Sequence, residues 1–446
     1  MKTPIFDFVK KYSESGTSRF HMPGHKGKSF LGCEAEDITE IFGADTLYLA
    51  DGIIDESERY AASLFGTAKS FYSVEGSTLA IRAMLATALR GAKSEGRRPK
   101  VLAARGAHKA FITTAAILDF DVEWISSKSG AHIACAAVSA EDVSVALSSV
   151  GRPDAVYLTS PDYLGNISDI KEISKICHKH GVPLLVDNAH GAYLAFLKPS
   201  LHPIALGADM SCDSAHKTLP ALTGGAYLHI AKGAEKYISA ARDSLLLFAS
   251  TSPSYLILQS LDLCNKYLAD GYSEKLSATV SEINRVKEIL RAHGLSLKDT
   301  EPLKIVIEPR QFGYTGEAFS MVWRKGGIEA EFADGEYTVL MPTPENDAVD
   351  FERLIEVVKE IPRKEALPEF MQIPTHTPKR AMSVRDAMLC ESEALAVDAA
   401  LGRILAAPTV SCPPAVPIAV SGEVIDEKTV ELMKKYGVNE IKVVKQ

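Results

Sequence analysis

The sequence predicts an α/β fold: a mostly parallel sheet of seven strands with helices on both faces, followed by α+β C-terminal domains. Between residues 60 and 230, short apolar runs of strand length alternate with longer runs that have the period of helices. Polar side chains follow several of these strands at their carboxyl ends. Ligands of open parallel sheets bind beyond those ends, so these residues are the first candidates for a site.

The elements of this sheet are predicted in chain order. Helices are expected at 77–92, after His108 and at 169–180, and residues 232–297 are expected to be largely helical. The strands are expected at 69–74, 101–104, 122–125, 155–159, 183–187, 208–212 and 226–230.

Four regions are predicted along the chain. Residues 1–60 form a loop-rich segment, 61–297 a large domain, 298–364 a small α+β domain and 365–446 a C-terminal domain. The small domain is predicted to contain strands at 304–307 and 337–341 and helices at 316–325 and 348–361. The last region is predicted to hold a helix, a turn at Pro413-Pro414 and a strand at 440–444.

Composition is typical of a soluble globular protein. The chain has 446 residues, of which 46% are hydrophobic and 24% charged, and a net charge of −8. Nucleic-acid binding would need clustered Lys and Arg, and no apolar run approaches the length of a membrane span. The seven cysteines are scattered without CxxC spacing, which favours a reducing compartment and argues against a zinc site. This cysteine pattern leads us to expect no bound metal. Because no signal peptide is seen, we expect a cytoplasmic protein.

A lysine and an aspartate follow successive predicted strands. Lys217 comes after the strand at 208–212, and Asp187 ends the strand at 183–187. A buried lysine is costly as an ammonium, but a lysine in a Schiff base with a carbonyl cofactor presents no ammonium. Pyridoxal phosphate requires a lysine for its aldehyde and an acid for its ring nitrogen. A solvated loop lysine and a turn aspartate are the ordinary interpretations, and the shared α/β pattern argues against them.

Residues at the same predicted edge of the sheet complete a cofactor site. A glycine and two hydroxyl residues lie between a strand and a helix, where free amides can bind a phosphate. His108 follows the next strand and could stack on a planar ring, and Ala189 is small enough to lie beneath one. Each of these residues alone would be read as a cap or a core residue. The residues predicted to hold the phosphate are Gly76, Ser77, Thr78, Ser214 and His216.

These residues lie in longer motifs that resemble the Orn/Lys/Arg decarboxylase family of fold-type I pyridoxal-phosphate enzymes, in its short form without the N-terminal wing domain. The resemblance covers nearly the whole chain, and its central motifs are specific to that family. The matching segments are 21–27, 76–78, 108–109, 187–192, 214–219, 251–255, 413–414 and 422–423.

The resemblance implies a role for each residue of the site. Lys217 would bind the aldehyde of pyridoxal phosphate, Asp187 would pair with the ring nitrogen and His108 would stack on the ring. Thr251 would reach the phosphate from a neighbouring subunit, so a homodimer or larger homo-oligomer is implied. The catalytic residues implied are Lys217, His108, Asp187 and His216. The implied cofactor-binding residues are Lys217, Asp187, Ala189, His190, His108, Gly76, Ser77, Thr78, Ser214, His216 and Thr251.

The resemblance also implies the reaction, which is decarboxylation of arginine, lysine or ornithine to an amine of polyamine metabolism. Carbon dioxide would leave the α-carbon, and either Lys217 or His216 would return a proton to it. An acidic group must meet the distal cation of the substrate, and the candidates are Asp45, Asp51 and Glu423. The chain departs from the family pattern around the expected substrate mouth, at Ala50, Tyr193, Cys412 and 415–416.

Two other functions remain open from the sequence. The same fold could carry a different pyridoxal-phosphate reaction, such as transamination or β-elimination, because a fold does not determine a function. A non-catalytic paralogue that binds the cofactor is the other alternative. The intact set of Lys217, Asp187 and His108 argues against it, since a structural role would not require that chemistry.

Overall fold

The core of the protein is a seven-stranded sheet with the strand order β1-β7-β6-β5-β4-β2-β3. A computed structural model describes residues 1–125, 137–368, 377–410 and 416–445. Every strand runs in the same direction except β7, which is antiparallel to β1 and β6. The predicted mostly parallel sheet is therefore confirmed. Its strands are β1 (Lys69–Ser73), β2 (Lys100–Ala104), β3 (Asp121–Ile125), β4 (Ala155–Thr159), β5 (Leu184–Asp187), β6 (Met210–Asp213) and β7 (Ala226–Ile230).

Helices cover both faces of this sheet because alternate residues of each strand point to opposite sides. Tyr157 and Leu185 belong to one buried apolar cluster, whereas their neighbours Val156 and Leu184 belong to a second cluster on the other face. The helices of this part of the chain are α1 (Pro4–Glu14), α2 (Ile53–Phe65), α3 (Gly76–Ser94), α4 (Lys109–Leu118), α5 (Ala140–Val150), α6 (Ile170–Lys179), α7 (Ala215–Thr218), α8 (Ile238–Phe248), α9 (Tyr255–Ala269) and α10 (Tyr272–Ala292).

Two smaller units follow the sheet. The first is a four-stranded sheet with the order β10-β11-β9-β8 and two helices. Its elements are β8 (Ser296–Lys298), β9 (Ile305–Glu308), α11 (Gly316–Lys325), β10 (Phe332–Ala333), β11 (Thr338–Leu340) and α12 (Ala348–Lys359). The second contains α13 (Val384–Leu389), β12 (Ser392–Ala396), β13 (Thr409–Val410), β14 (Ala419–Val420), α14 (Glu427–Lys435) and β15 (Glu440–Val444).

The predicted helices and strands of these units agree with the structure, with these exceptions: the short strands β8, β10, β13 and β14 and the five-residue strand β12 were not predicted, and the last unit contains two helices where one was predicted. Strands of two or three residues have too little periodicity to be read from sequence. The predicted turn at Pro413-Pro414 and the departures at Cys412 and Ala415 lie outside the described residues. The predicted domain boundaries stay predictions.

A buried ion pair joins the last unit to the large sheet. Arg105 directly follows β2, and its guanidinium donates to both carboxylate oxygens of Glu423, at 2.6 and 2.7 Å. The Val420 amide donates to the same carboxylate, and Arg105 also lies 5.2 Å from the ring centre of Trp124. Glu423 was predicted to meet the distal cation of a substrate. Since its charge is already paired inside the chain, that prediction has no geometric support.

No helix in the described ranges combines the length and the apolar character needed to cross a membrane.

Candidate active site

The carboxyl ends of β5 and β6 bring the predicted lysine and aspartate into one cavity. The two strands pair in parallel with Asp187 opposite Cys212, and the short helix α7 then carries Lys217 back toward Asp187. The cavity has a volume of about 300 Å³, at the lower end of the range for small-molecule sites. The predicted residues that line it are Ser77, His108, Asp187, Ala189, His190 and Lys217.

Asp187 is a buried carboxylate held by neutral donors. The Tyr157 hydroxyl donates to its Oδ2 at 3.1 Å, and the Ala189 amide donates to its Oδ1 at 3.2 Å. The Cys212 thiol lies 3.6 Å from Oδ1, and burial keeps that thiol protonated by raising its pKa. These donors orient the carboxylate without neutralising it. Its charge stays available for a cation in the cavity, such as a protonated ring nitrogen.

Lys217 carries an amine that burial makes easier to deprotonate. Desolvation lowers the pKa of Lys217, while the carboxylates of Asp187 and Glu331 act in the opposite direction. Its Nζ lies 3.0 Å from Nε2 of His190. An amine with a lowered pKa is the form that attacks a carbonyl carbon, so the position suits an aldehyde cofactor.

His190 is buried beside Lys217 and stays neutral. Burial is the main cause that lowers the pKa of His190 well below its ordinary value, and the charges of Lys304 and Lys217 lower it further. The ring of Tyr163 packs edge-on against it, with ring centres 5.1 Å apart. The neutral ring of His190 is thus held between Tyr163 and the amine of Lys217.

The first turn of α3 provides the anion site predicted from Gly76 to Thr78. Gly76 has a φ of 69°, a left-handed conformation that favours glycine, and its amide donates to the Gly224 carbonyl at 2.7 Å. No side chain caps α3 in the described residues, so its free amides remain open to a phosphate. Ser214 donates to Ser77 across the site at 2.8 Å, which places two hydroxyls together beside the helix end.

His108 begins α4 and lines the cavity. Its Nδ1 accepts the Ala110 amide at 3.1 Å, which fixes the ring and places the proton of the neutral form on Nε2. Desolvation is the main cause that lowers the pKa of His108. The charge of Asp187 raises this pKa, and the charge of Lys217 lowers it further. A neutral, fixed ring at this edge is consistent with the predicted stacking role.

Five predicted cofactor residues do not line the cavity. Gly76 and Thr78 lie in the first turn of α3, Ser214 donates to Ser77, and the other two are His216 and Thr251. Nδ1 of His216 lies 3.0 Å from the carbonyl oxygen of Gly225, which turns that side of the ring toward β7. Thr251 is exposed just beyond Ser250, whose amide donates to Glu75 at the start of α3. The predicted contacts of His216 and Thr251 with the cofactor stay predictions.

The predicted substrate acids Asp45 and Asp51 belong to a loop before α2. The Asp45 carboxylate accepts four backbone amides at 2.8 to 3.3 Å, those of Thr46, Asp51, Gly52 and Ile54. A carboxylate satisfied in this way stabilises the loop and the start of the helix. Asp51 is exposed and donates its own amide to Asp45. Their predicted contact with a substrate cation has no geometric support in this chain.

The sequence did not reveal several residues of the site. Tyr163 lines the cavity, and its hydroxyl donates to Glu331 of the four-stranded unit at 2.9 Å. Thr409 and Pro417 reach the cavity from the C-terminal unit. Thr409, Pro417 and Glu331 lie far along the chain from the strand ends, so no local motif could have indicated them. Tyr163 follows β4 closely, but its contact with Glu331 depends on the tertiary fold.

These residues fit pyridoxal phosphate on four independent counts. The site offers a half-buried amine, a buried carboxylate that only neutral groups hydrogen-bond, an uncapped helix start with two hydroxyls, and a histidine ring on the cavity wall. Each corresponds to one part of the cofactor: its aldehyde, ring nitrogen, phosphate and ring face.

Comparison with known proteins identifies the family. Residues 3–324 match the major domain of the Orn/Lys/Arg decarboxylases, and residues 363–437 match their C-terminal domain. The chain belongs to the Orn/Lys/Arg decarboxylase family. Its predicted class, a pyridoxal-phosphate-dependent decarboxylase of basic amino acids, is thereby confirmed, and so is the cofactor.

Individual relatives agree with this assignment over nearly the whole chain. An arginine decarboxylase of Halalkalibacterium halodurans is 29% identical and covers 97% of this chain and 93% of its own length. An arginine decarboxylase of Bacillus subtilis is 28% identical with the same coverage.

Solved structures confirm the fold-type I architecture. A lysine decarboxylase of Francisella novicida superposes with a TM-score of 0.81 at 16% identity, over 99% of this chain and 81% of that one. The constitutive lysine decarboxylase of E. coli gives 0.76 at 16% identity, over 100% and 82%.

The lowered pKa of His190 predicts acid lability of the cofactor-free protein. In the unfolded chain His190 binds a proton below about pH 6.5, whereas in the folded protein it stays neutral. The free energy of unfolding is therefore unaffected above that pH and decreases as the pH falls below it. Between pH 6.5 and 5 the loss is about 2 kcal/mol. In His190→Gln, urea unfolding should show a pH dependence smaller by this amount. His180→Gln, at the exposed end of α6, is the control. An unchanged dependence in His190→Gln would contradict the assignment.

Proposed function

We propose that this enzyme decarboxylates arginine to the corresponding amine. The observation that carries the proposal is that the half-buried amine of Lys217 and the buried carboxylate of Asp187 line one cavity. The choice of arginine is supported by the full-length relatives described as arginine decarboxylases. Lysine and ornithine, the other predicted substrates, remain as outcomes of the test.

Each of the cavity residues has a separate proposed role in this reaction. Bound pyridoxal phosphate supplies an electron sink for the pair of electrons left when carbon dioxide departs from the α-carbon. The Asp187 carboxylate would keep the ring nitrogen protonated, because a buried anion favours a cation beside it. Ser77, Ser214 and the amides at the start of α3 would bind the phosphate, and His108 would fix the plane of the ring.

We further propose Lys217 as the group that returns a proton to the α-carbon. The sequence left Lys217 and His216 as equal candidates. Lys217 lines the cavity, whereas His216 does not. The neutral His190 at 3.0 Å would hold the Lys217 amine in place as it accepts and gives up its proton.

Glu331 is the carboxylate that we propose to meet the distal cation of the substrate. It is exposed, and its Oε1 accepts the hydroxyl of Tyr163, which lines the cavity. The negative charge of Glu331 acts on the amine of Lys217 and raises its pKa against the effect of desolvation. Asp45 and Glu423 are occupied elsewhere, so Glu331 fits this role better than the acids chosen from the sequence.

Incubation with arginine, lysine and ornithine separately tests the proposed function. We expect release of carbon dioxide and the corresponding amine, fastest with arginine, and no turnover by Lys217→Ala. A keto acid product would instead indicate transamination. Holoenzyme that turns over none of the three amino acids would support the non-catalytic alternative.

Glu331→Gln tests recognition of the distal cation. Loss of a charged partner should raise the KM for arginine by about tenfold to a hundredfold, with a smaller change in kcat. Glu329→Gln is the matched control, because Glu329 lies two residues away and pairs with Arg324 on the surface. An equal effect of both substitutions on KM would argue against a specific role for Glu331.

We propose that the enzyme is a homodimer or larger homo-oligomer. Large apolar side chains of the N-terminal segment and α8 are more than 60% exposed, and such groups mark interfaces. They are Phe20, Met22, Phe30, Leu31, Phe42, Leu49 and Leu247. Thr251, which is exposed and does not line its own cavity, would then serve the phosphate of a second subunit.

Mixed subunits test this assembly. Thr251→Glu should repel the phosphate and inactivate the enzyme, as Lys217→Ala does. Unfolding and refolding the two variants together should restore activity, because a mixed dimer contains one intact site. Sedimentation should show at least twice the mass of one chain. A monomeric active enzyme would rule the proposal out. The cytoplasmic location and the place in polyamine metabolism stay predictions.

A further inference from the structure

A second group of titratable residues is buried behind the cofactor site. Asp213 at the end of β6 lies between His202 and His229, with its Oδ2 at 2.9 and 3.3 Å from their Nε2 atoms. All three side chains are at most 1% exposed. The Asn188 amide donates to the other oxygen of Asp213 at 2.8 Å. The reaction described above uses none of these four residues.

The hydrogen bonds determine where the protons are. Nδ1 of His202 accepts the Ile204 amide at 3.3 Å, so neutral His202 carries its proton on Nε2 and donates to Asp213. Ser70 faces Nδ1 of His229 at 2.8 Å, which lets that ring also present its proton to Asp213. The Asp213 carboxylate therefore receives hydrogen bonds from His202 and Asn188, and Nε2 of His229 lies 3.3 Å from it without completing a third hydrogen bond.

The same three side chains could in principle hold a metal ion, since their ligand atoms lie within 4.8 Å of one another. A histidine that binds a metal donates from its other ring nitrogen to an acceptor. The other nitrogen of His202 faces an N–H group, which is itself a donor. The hydrogen bond to His202 therefore favours an ionised Asp213 carboxylate held by hydrogen bonds over a metal site.

The electrostatics agree with this reading. The two histidines lower the pKa of Asp213 against the opposing effect of burial, so the carboxylate stays ionised. Burial lowers the pKa of His229, which keeps that ring neutral. The result is a buried anion that remains charged at the working pH of the protein.

Asp213 connects the two segments that carry the cofactor residues. It immediately precedes Ser214 and α7, which holds Lys217. Asn188, its partner, lies between Asp187 and Ala189 and donates its own amide to the carbonyl of Cys212 at 2.9 Å. The side chain of Asn188 is tightly enclosed, because a Cβ added to Gly191 would lie 2.0 Å from its Oδ1.

We propose that Asp213 is a positioning residue for the decarboxylation. Held by His202 and His229, it anchors Asn188 and so fixes Asp187 relative to Lys217. A displacement of about 1 Å between reacting groups can lower a rate about a hundredfold, so this anchor affects turnover as well as stability. The inference rests on the proposed function, but its effect on the bound cofactor can be read without substrate.

Asp213→Ala and Asn188→Ala test the anchor in the holoenzyme. Each should lower kcat by about tenfold to a hundredfold, with a smaller change in KM, and should shift the visible band of the bound cofactor or its pH dependence. The double variant should be no worse than either single one, because both remove the same contact. Asp213→Asn carries the test if Asp213→Ala does not fold. Ser211→Ala is the control, a buried residue of the same strand, and should leave kcat unchanged.

Three results would overturn the proposal. Asp213→Ala could lower the melting temperature while kcat per bound cofactor and the visible band stay unchanged, which would indicate a structural role only. The effects of Asp213→Ala and Asn188→Ala on kcat could be additive, which would show that they do not act through one contact. One zinc or other metal ion per wild-type subunit, lost in Asp213→Ala, would indicate a metal site. If the visible band changes but no basic amino acid is turned over, the proposed function fails and the anchor stands.

Discussion

The parallel pairing of β5 with β6 is the constraint on which the rest of the site depends. It places two chain segments that are 30 residues apart, ending in Asp187 and Lys217, at one edge of the sheet. Asp187 is buried there and Lys217 is half-buried, and this desolvation gives each its chemistry. The amine becomes easier to deprotonate, and the carboxylate keeps a charge that its neutral donors do not cancel.

The two smaller units complete a cavity that the sheet leaves open. The four-stranded unit supplies Glu331, which accepts the hydroxyl of Tyr163, and the C-terminal unit supplies Thr409 and Pro417. The Arg105–Glu423 pair fixes the C-terminal unit three residues before His108. Breaking one partner of such a buried pair typically costs about 3 to 5 kcal/mol, so this wall of the cavity is firmly held.

Sequence reasoning could identify the sheet, the cofactor lysine and its aspartate because their signals are local. Strand length, helix period and the polar residues after each strand lie within a few positions of one another. The partners of charged residues could not be predicted in this way, because only the folded chain brings them together. Arg105 and Glu423 are 318 positions apart, so nothing in the sequence indicates that they form an ion pair. The backbone amides that hydrogen-bond Asp45 come together only when the loop folds. Tyr163, Glu331 and the His202–Asp213–His229 group were missed because tertiary contacts alone bring them together.

The central claim, that Lys217 is the residue that binds pyridoxal phosphate, can be tested directly by chemical trapping. Borohydride reduction of the holoenzyme fixes the cofactor on its lysine, and peptide mapping by mass spectrometry then locates it. We predict that the added mass lies on the peptide that contains Lys217. Its appearance on another lysine near the site, such as Lys109 or Lys304, would contradict the account.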